Sequence, residues 1–292
     1  MELILSTLIN GLSLGGIYAM IALGYTMVYG IAKMLNFAHG DIIMIGGYVI
    51  FVFMATNNPL LAVAMAVVLC VILGVVIEKV AYKPLRGASP LAVLITAIGV
   101  SYFLQNAAQL IWGSAPKNFT SIVTFKPFTF ADGALVITGE VIVTILVSTL
   151  IMVGLTLFTS RTKMGKAMRA VSEDRDAAQL MGINVNTTIS MTFAIGSALA
   201  AIAGVLLCSA YPTLVPTTGS MPGIRAFTAA VIGGIGSIPG AMLGGIVLGI
   251  IEIFSKKYIS TEFSDAIVFA VLIVILLVKP AGLLGKQVQE KV

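Results

Sequence analysis

The sequence has few charged residues. Asp, Glu, Lys and Arg make up 10% of its 292 residues, whereas a typical soluble domain has about 25%. Apolar residues account for 59%, and the mean hydropathy is +1.07. So few charged residues cannot cover the surface of a particle of 30.5 kDa in water, which excludes a soluble enzyme. The high share of apolar residues excludes a disordered chain. The composition therefore predicts an integral membrane protein.

Residues that carry chemistry are also scarce. His39 is the only histidine, so the H-E-x-x-H zinc motif is impossible. Cys70 and Cys208 lie in apolar stretches without C-x-x-C spacing, and we interpret them as buried apolar residues. The sequence lacks a G-x-S-x-G nucleophile elbow and a P-loop. We predict a protein that is not an enzyme and needs no cofactor or metal, with an intramembrane hydrolase as a remote alternative.

Long stretches without charge predict the membrane spans. A helix needs about 20 apolar residues to cross roughly 30 Å of hydrocarbon. The uncharged stretches 42–77 and 177–224 are each long enough for two passes or for one pass and a loop. Met1-Glu2 lacks the basic start of a secretory signal peptide, so we expect the first helix to be retained. We predict one all-α polytopic domain over residues 1–292, with about eight or nine transmembrane helices. The expected helices lie near 8–30, 42–56, 60–78, 90–112, 140–160, 187–210, 224–235, 240–256 and 265–281.

Basic residues predict the orientation of these helices. They cluster in loops 79–86 and 161–175 and again after residue 278. Because cytoplasmic loops carry the excess of Lys and Arg, these loops and the C-terminus are expected in the cytoplasm. Loop 113–139 is then extracellular. Within it, Thr and Phe alternate before Asp132-Gly133, a pattern typical of a short β-hairpin.

Glycine marks packing seams and a break. Gly236, Gly240 and Gly244 are spaced four residues apart, which favours close helix crossing. The segment 233–240 contains four Gly and one Pro and cannot continue a regular helix, so we predict a broken or re-entrant hairpin at membrane depth. Residues 36–41 interrupt the first half similarly, and paired interruptions indicate a transporter built from two internal repeats. The residues assigned to the second break and its packing are Gly233, Gly234, Gly236, Pro239, Gly240 and Gly244.

Polar side chains within apolar spans are candidates for a substrate pathway, because ionisable groups there are costly and usually functional. For Gln105 and Asn106, hydrogen bonding between helices is an equally good interpretation. Arg225 is interpreted as a gate charge, while Glu252 could lie at an interface beside Lys256. The candidates are Asn36, His39, Asp41, Gln105, Asn106 and Arg225.

The loop 161–185 predicts a short surface helix over 173–181. Ser172 supplies a helix start, Glu173 and Asp174 place acids in the first turn, and Gly182 ends the helix. A left-handed residue is expected at Gly182. An interfacial amphipathic helix is the structural alternative.

The same loop carries a family resemblance. Asp176-Ala177-Ala178-x-x-x-Gly182 resembles the E-A-A-x-x-x-G loop of ABC importer permeases, with Asp in place of Glu. The whole string M-G-K-A-M-R-A-V-S-E-D-R-D-A-A-Q-L-M-G-I-N is similar to the LivH-like permeases of branched-chain amino acid importers. The segments 10–31, 36–41 and 226–245 share this similarity.

The resemblance implies a permease of the prokaryotic plasma membrane that moves Leu, Ile and Val inward by alternating access. It also implies two ATPase subunits, a second permease, homologous or identical, and an extracellular binding protein. A permease for urea, short amides or other small amino acids is the first alternative, and an ion-coupled secondary transporter is the second. In the family, the loop helix docks in a groove of the ATPase; the residues implied here are Arg169, Glu173, Asp174, Asp176, Ala177, Ala178 and Gly182.

Overall fold

The computed structural model describes residues 2–123, 125–130 and 135–285, and its described part is an all-α multi-pass fold. Seven helices are long and apolar enough to span a membrane, namely α1 to α5, α8 and α10, while α9 and α11 are shorter. The predicted fold class is confirmed. The helices are α1 Glu2–Ala32, α2 His39–Phe53, α3 Pro59–Ile77, α4 Pro90–Trp112, α5 Gly139–Arg161, α6 Lys163–Glu173, α7 Arg175–Leu180, α8 Val185–Ala210, α9 Ser220–Gly233, α10 Ile238–Tyr258 and α11 Ser264–Val278.

Local sequence signals explain why several helices begin where predicted. The side chain of Asn58 caps α3, that of Ser89 caps α4 and that of Ser237 caps α10. Each accepts a hydrogen bond from a backbone N–H in the first turn, at 3.1 to 3.3 Å. Each also has a Pro at one of the first two helical positions, where its missing N–H costs nothing.

The bundle has two distinct ends. At one, Arg175 binds the carbonyl of Ala32, Arg86 binds the side chain of Asn186, and the N–H of Leu283 binds the carbonyl of Ile232 at 2.8 Å. We call this the basic end, because loops 79–86 and 161–175 both lie there. Since α1 finishes and α8 begins at this end, the two helices run antiparallel.

The opposite, hairpin end carries the strands. β2 (Phe128–Phe130) pairs antiparallel with β3 (Leu135–Ile137), with Phe128 opposite Ile137, so the structure contains the predicted hairpin. Its expected turn at Asp132-Gly133 lies outside the described residues. A second ladder joins β1 (Lys117–Asn118) to β4 (Thr213–Leu214) and ties loop 113–139 to the segment that follows α8.

Two halves of the chain repeat one packing scheme with opposite direction. In each half a long helix (α1 or α8) is followed by a non-helical linker, a short helix (α2 or α9), and two further helices. The helix pair α2–α3 packs as α9–α10 does, and the pair α2–α4 packs as α9–α11 does. Across the halves, α3 packs on α8 as α10 packs on α1. This arrangement agrees with the predicted internal repeat.

The location of the second break was predicted wrongly. The linker equivalent to 33–38 is residues 211–219, between α8 and α9. The Gly-rich segment 233–240 forms the tight α9–α10 hairpin at the basic end instead, where Gly234 and Gly236 adopt φ values of +105° and +94°. Pro239 lies in the first turn of α10, a position that tolerates proline, so it does not interrupt the helix.

The two short helices begin inside the bundle and meet there. His39, the first residue of α2, packs against Gly24 of α1, about 12 Å from the end of that helix at the usual rise per residue. A Cβ on Gly219 would lie 1.8 Å from the carbonyl oxygen of Gly40, so the starts of α2 and α9 touch through backbone alone. This crossing brings polar residues from both halves together.

The α9–α10 hairpin generates a test of close packing. A Cβ on Gly244 would lie 2.0 Å from the carbonyl oxygen of Ala229, and one on Gly240 would lie 2.3 Å from that of Gly233. We expect Gly244→Ala to lower the free energy of unfolding by about 1–3 kcal/mol through overpacking, measured as a lower thermal midpoint in detergent. Gly154→Ala is the matched control, because a Cβ there meets no atom within 4 Å. Equal midpoints for the two variants would show that the seam is not tightly packed.

Candidate functional site

A buried charge network joins four helices. Glu252 of α10 is fully buried and accepts hydrogen bonds from Tyr18 of α1 at 2.8 Å and from Arg225 of α9 at 2.8 Å. Lys256 lies one turn further along α10 and pairs with the same carboxylate. Arg225 also forms an ion pair with Asp265 at the start of α11. Two cations and two carboxylates therefore balance, as burial of charge requires.

A second network surrounds Asp41 near the start of α2. The Asp41 carboxylate, 1% exposed, accepts a hydrogen bond of 2.9 Å from Nε2 of Gln105 on α4. The same amide nitrogen lies 3.1 Å from Oγ of Ser101 and 3.2 Å from Oγ of Ser220 at the start of α9. Two of the pathway candidates, Asp41 and Gln105, thus meet at the crossing of α2 and α9.

The two networks occupy comparable places in the two halves. Asp41–Gln105 connects the short helix α2 to α4, and Arg225–Asp265 connects the short helix α9 to α11. Each linkage fixes a helix that begins inside the bundle to an outer helix of its own half. The sequence identified three of these four residues, but the packing alone shows that they form equivalent pairs.

Asn36 and His39 are buried but take different roles. The side-chain oxygen of Asn36 accepts a hydrogen bond of 2.8 Å from the hydroxyl of Tyr82, in the π-helical turn Glu78–Tyr82 that follows α3. The His39 ring packs edge-on against Tyr25, with ring centroids 4.8 Å apart. In the described part of the chain, Nε2 of His39 finds no hydrogen-bond partner.

Asn106 lies apart from the other pathway candidates, and its role in a pathway stays a prediction. Asn106 lies on the exposed side of α4, beside Tyr102 and Phe103, and its amide donates to the carbonyl of Tyr102 in its own helix at 2.7 Å. One residue along a helix rotates the side chain by about 100°, so Gln105 faces the bundle while Asn106 faces away.

The surface helix predicted over 173–181 corresponds to α7, Arg175–Leu180, and it is preceded by α6, a helix that was not predicted from the sequence. Thr162 caps α6, whose residues Gly165, Met168 and Val171 are buried at a spacing of three and fix it to the bundle. Asp174 then begins α7 by accepting from the N–H groups of Asp176 and Ala177, both at 2.9 Å. Ser172 was therefore the wrong cap. It lies near the end of α6, and its hydroxyl donates to the carbonyl of Arg169.

Gly182 ends α7 in the predicted left-handed conformation, with φ of +81°. The N–H of Gly182 binds the carbonyl of Gln179 at 3.0 Å, and that of Ile183 binds the carbonyl of Ala178 at 3.0 Å. These two bonds define a Schellman motif. The expectation that Ala178 faces a partner is wrong, because it is 4% exposed and packs against the core of its own chain; Ala177 and Asp176 are exposed.

Sequence reasoning missed two strongly exposed apolar residues of this loop. Leu180 is 89% exposed and Met181 is 82% exposed, side by side at the end of α7. Arg169 and Glu173 are exposed nearby on α6. Two large apolar residues directly before the terminating glycine, within an otherwise polar loop, were the available signal. They form an uncovered apolar patch, which we call the α7 patch.

A further residue, Arg175, connects this loop to the broken helix of the first half. Its guanidinium donates to the carbonyl of Ala32, the last residue of α1. Partial burial and the nearby Arg86 lower the pKa of Arg175 from its usual value. Since the linker 33–38 begins directly after Ala32, the loop contacts the residue that precedes the linker to α2.

The comparisons with known proteins identify the family. The family described as branched-chain amino acid transport system, permease component, matches residues 7–276. The chain is 46% identical to the high-affinity branched-chain amino acid transport system permease protein BraD of Pseudomonas aeruginosa, over 99% of this chain and 98% of that one. The chain belongs to this permease family. LivH of Escherichia coli shares 46% identity over 99% of this chain and 97% of its own, and the probable LivH of Methanocaldococcus jannaschii shares 31% over 91% and 88%.

The network around Glu252 generates a test of its structural role in this permease. We expect Arg225→Met to lower the free energy of unfolding by about 1.5–3 kcal/mol, because one charged hydrogen bond to the buried Glu252 is lost while Lys256 and Tyr18 remain as its partners. The thermal midpoint in detergent measures this change. Arg161→Met, at the exposed end of α5, serves as the control. The double variant Arg225→Met with Glu252→Gln should recover stability; a midpoint below that of the single variant would contradict a role of Arg225 in neutralising Glu252.

Proposed function

We propose that this permease is the transmembrane subunit of an ABC importer for leucine, isoleucine and valine. The observation that carries the proposal is 46% identity over almost the full length to relatives named as high-affinity branched-chain amino acid permeases. The protein is placed in the prokaryotic plasma membrane, with the basic end and the C-terminus in the cytoplasm. The excess of Lys and Arg in loops 79–86 and 161–175 supports this orientation.

The energy for transport enters from partner subunits. The sequence lacks a P-loop, so ATP is bound and hydrolysed by two ATPase subunits, while a second permease and an extracellular binding protein complete the importer. The α7 patch supports an ATPase contact, because Leu180 and Met181 leave large apolar side chains exposed at the basic end. A short helix with exposed apolar residues fits a groove on a partner.

The connections of α7 suggest how a push on the patch reaches the middle of the bundle. Arg175 transmits displacement to Ala32, which precedes the linker 33–38. Asn36 within that linker is held by Tyr82. The linker in turn positions Asp41 and the crossing of α2 with α9. Alternating access then consists of rigid shifts of these short helices about linkers 33–38 and 211–219.

Transport by the reconstituted importer tests the proposal. The permease is reconstituted with its partner permease and ATPases in proteoliposomes, with ATP inside and the binding protein outside. We expect uptake of labelled leucine that requires both ATP and the binding protein. Uptake driven by an ion gradient without ATP, or uptake of urea but not of leucine, would overturn it.

The α7 patch generates a second test, which concerns coupling. We expect Leu180→Asp to leave the permease folded, because the side chain contacts little of its own chain, but to abolish stimulation of the ATPase by the substrate-bound binding protein. Co-purification of the ATPase subunits and their ATPase rate measure the effect. Ile259→Asp is the matched control, since Ile259 is 68% exposed in the α10–α11 turn. Normal stimulation in Leu180→Asp would place the ATPase contact elsewhere.

Arg175 generates a test that separates docking from transmission. We expect Arg175→Gln to retain the ATPase subunits, because the α7 patch is intact, but to lower the number of leucine molecules imported per ATP hydrolysed. Lys166→Gln, at an exposed position on α6, is the control. An unchanged ratio in Arg175→Gln would show that the bond to Ala32 only stabilises the loop.

A further inference from the structure

A cavity lies at the hairpin end of the bundle, outside the two polar networks. It measures about 570 Å³ and lies between the first half of α1, the start of α5, the end of α8 and α10. Small-molecule sites have volumes of roughly 300–1,000 Å³. The cavity therefore has room for a compact ligand such as a single amino acid.

The lining of the cavity has an apolar wall and a polar rim. Leu14 and Ile17 of α1, Val141 of α5 and Ile253 of α10 provide branched aliphatic surface. Hydroxyl and amide groups face them, including Ser13 and Ser209, which are 6% and 7% exposed. Among the described residues that line the cavity, Glu140 is the only charged one. Glu140 can bind the ammonium group of an α-amino acid, and the aliphatic wall can pack against a branched side chain. The uncharged donors Asn10 and Ser13 line the same cavity and can bind the ligand's carboxylate, as no cation lines it among the described residues.

The position of Glu140 supports a role beyond local structure. It lies in the first turn of α5, where any acid gains from the helix dipole. Its hydrogen bond from Oγ of Ser121, at 3.2 Å, uses one of its two oxygens. A carboxylate accepts about four hydrogen bonds, so the group keeps free acceptor capacity toward the cavity.

We propose that this cavity binds a branched-chain α-amino acid, with its ammonium group on Glu140 and its side chain against Leu14, Ile17, Val141 and Ile253. This inference rests on the proposed function and adds to it a site on the permease itself. The site lies at the end opposite the α7 patch, on the side where a binding protein would release substrate. Ile17 and Ile253 directly adjoin Tyr18 and Glu252 in sequence, so the cavity is next to the buried charge network.

Photolabelling of the assembled importer tests the site. A leucine analogue with a diazirine side chain is irradiated with the purified permease–ATPase complex in nanodiscs, without binding protein. We expect labelled peptides from residues 10–17 and 139–141, and suppression of the label by excess leucine. Leucinamide, which keeps the ammonium group, should suppress it as well, whereas 4-methylpentanoate, which lacks that group, should not.

Variants of Glu140 and Val141 sharpen this test. Glu140→Gln should reduce leucine-protected labelling by about tenfold, since a hydrogen bond to a charged group is lost. Val141→Trp should abolish it by filling the cavity while Glu140 stays in place. Glu262→Gln, an exposed carboxylate in the α10–α11 turn, should change nothing. Co-purification of the ATPase subunits verifies that each variant is folded.

The outcomes distinguish this inference from the proposed function. Labelling at other residues, labelling that leucine does not suppress, or equal labelling of Glu140→Gln and wild type would overturn the cavity site. Such results, together with intact ATP-driven leucine uptake by the wild-type importer, would leave the proposed function standing. Absence of that uptake would overturn the proposed function first.

Discussion

Polar groups buried between membrane-spanning helices need partners inside the protein, because lipid offers none. In this permease, Glu252 and Glu78 are both fully buried, and each is bound by residues from other elements. Glu252 joins α1, α9 and α10, while Glu78 binds Arg86 and, at 2.6 Å, the hydroxyl of Ser190 on α8. Removing one partner leaves an uncompensated charge, so these networks fix which helices are neighbours.

The two halves of the fold use this constraint in the same way. Both contain a helix that begins inside the bundle, and both connect that helix to an outer one by a polar bridge, Asp41–Gln105 or Arg225–Asp265. The interior helix starts require small residues, since Gly40 and Gly219 meet through their backbones. Close backbone contact and paired polar groups therefore occur at one level of the bundle. In the proposed alternating access, this is the level at which the pathway switches from being open to one side to being open to the other.

In the proposed function, loop 161–185 transmits motion to this level because it is fixed to the bundle on one side and exposed on the other. Ala178 and the buried face of α6 fix the loop, Arg175 connects it to the end of α1, and Leu180 and Met181 remain uncovered. A loop that was exposed on both sides would absorb a partner's motion. The cavity proposed for the amino acid lies at the opposite end, so the proposed sites of substrate entry and energy input are separated by the length of the bundle.

The sequence by itself determined the elements of local origin. Charge-free stretches, proline and capping residues placed α2 to α5 and α8 to α11 within four residues of their observed ends, whereas α1 begins six residues before its expected start. Glycine predicted the left-handed end of α7 at Gly182. Tertiary structure alone decided the direction in which individual side chains point. Gln105 points into the bundle while its neighbour Asn106 points outward, and Ala178 packs against the core of its own chain. Tertiary structure also decided that residues 211–219, which include Pro212, Pro216 and Gly219, form the linker equivalent to 33–38, because that equivalence depends on contacts with α2 and β1 and not on helix-stopping residues alone. Periodicity sets which residues share a helix face, but the choice of face against each neighbour depends on contacts that are distant in sequence.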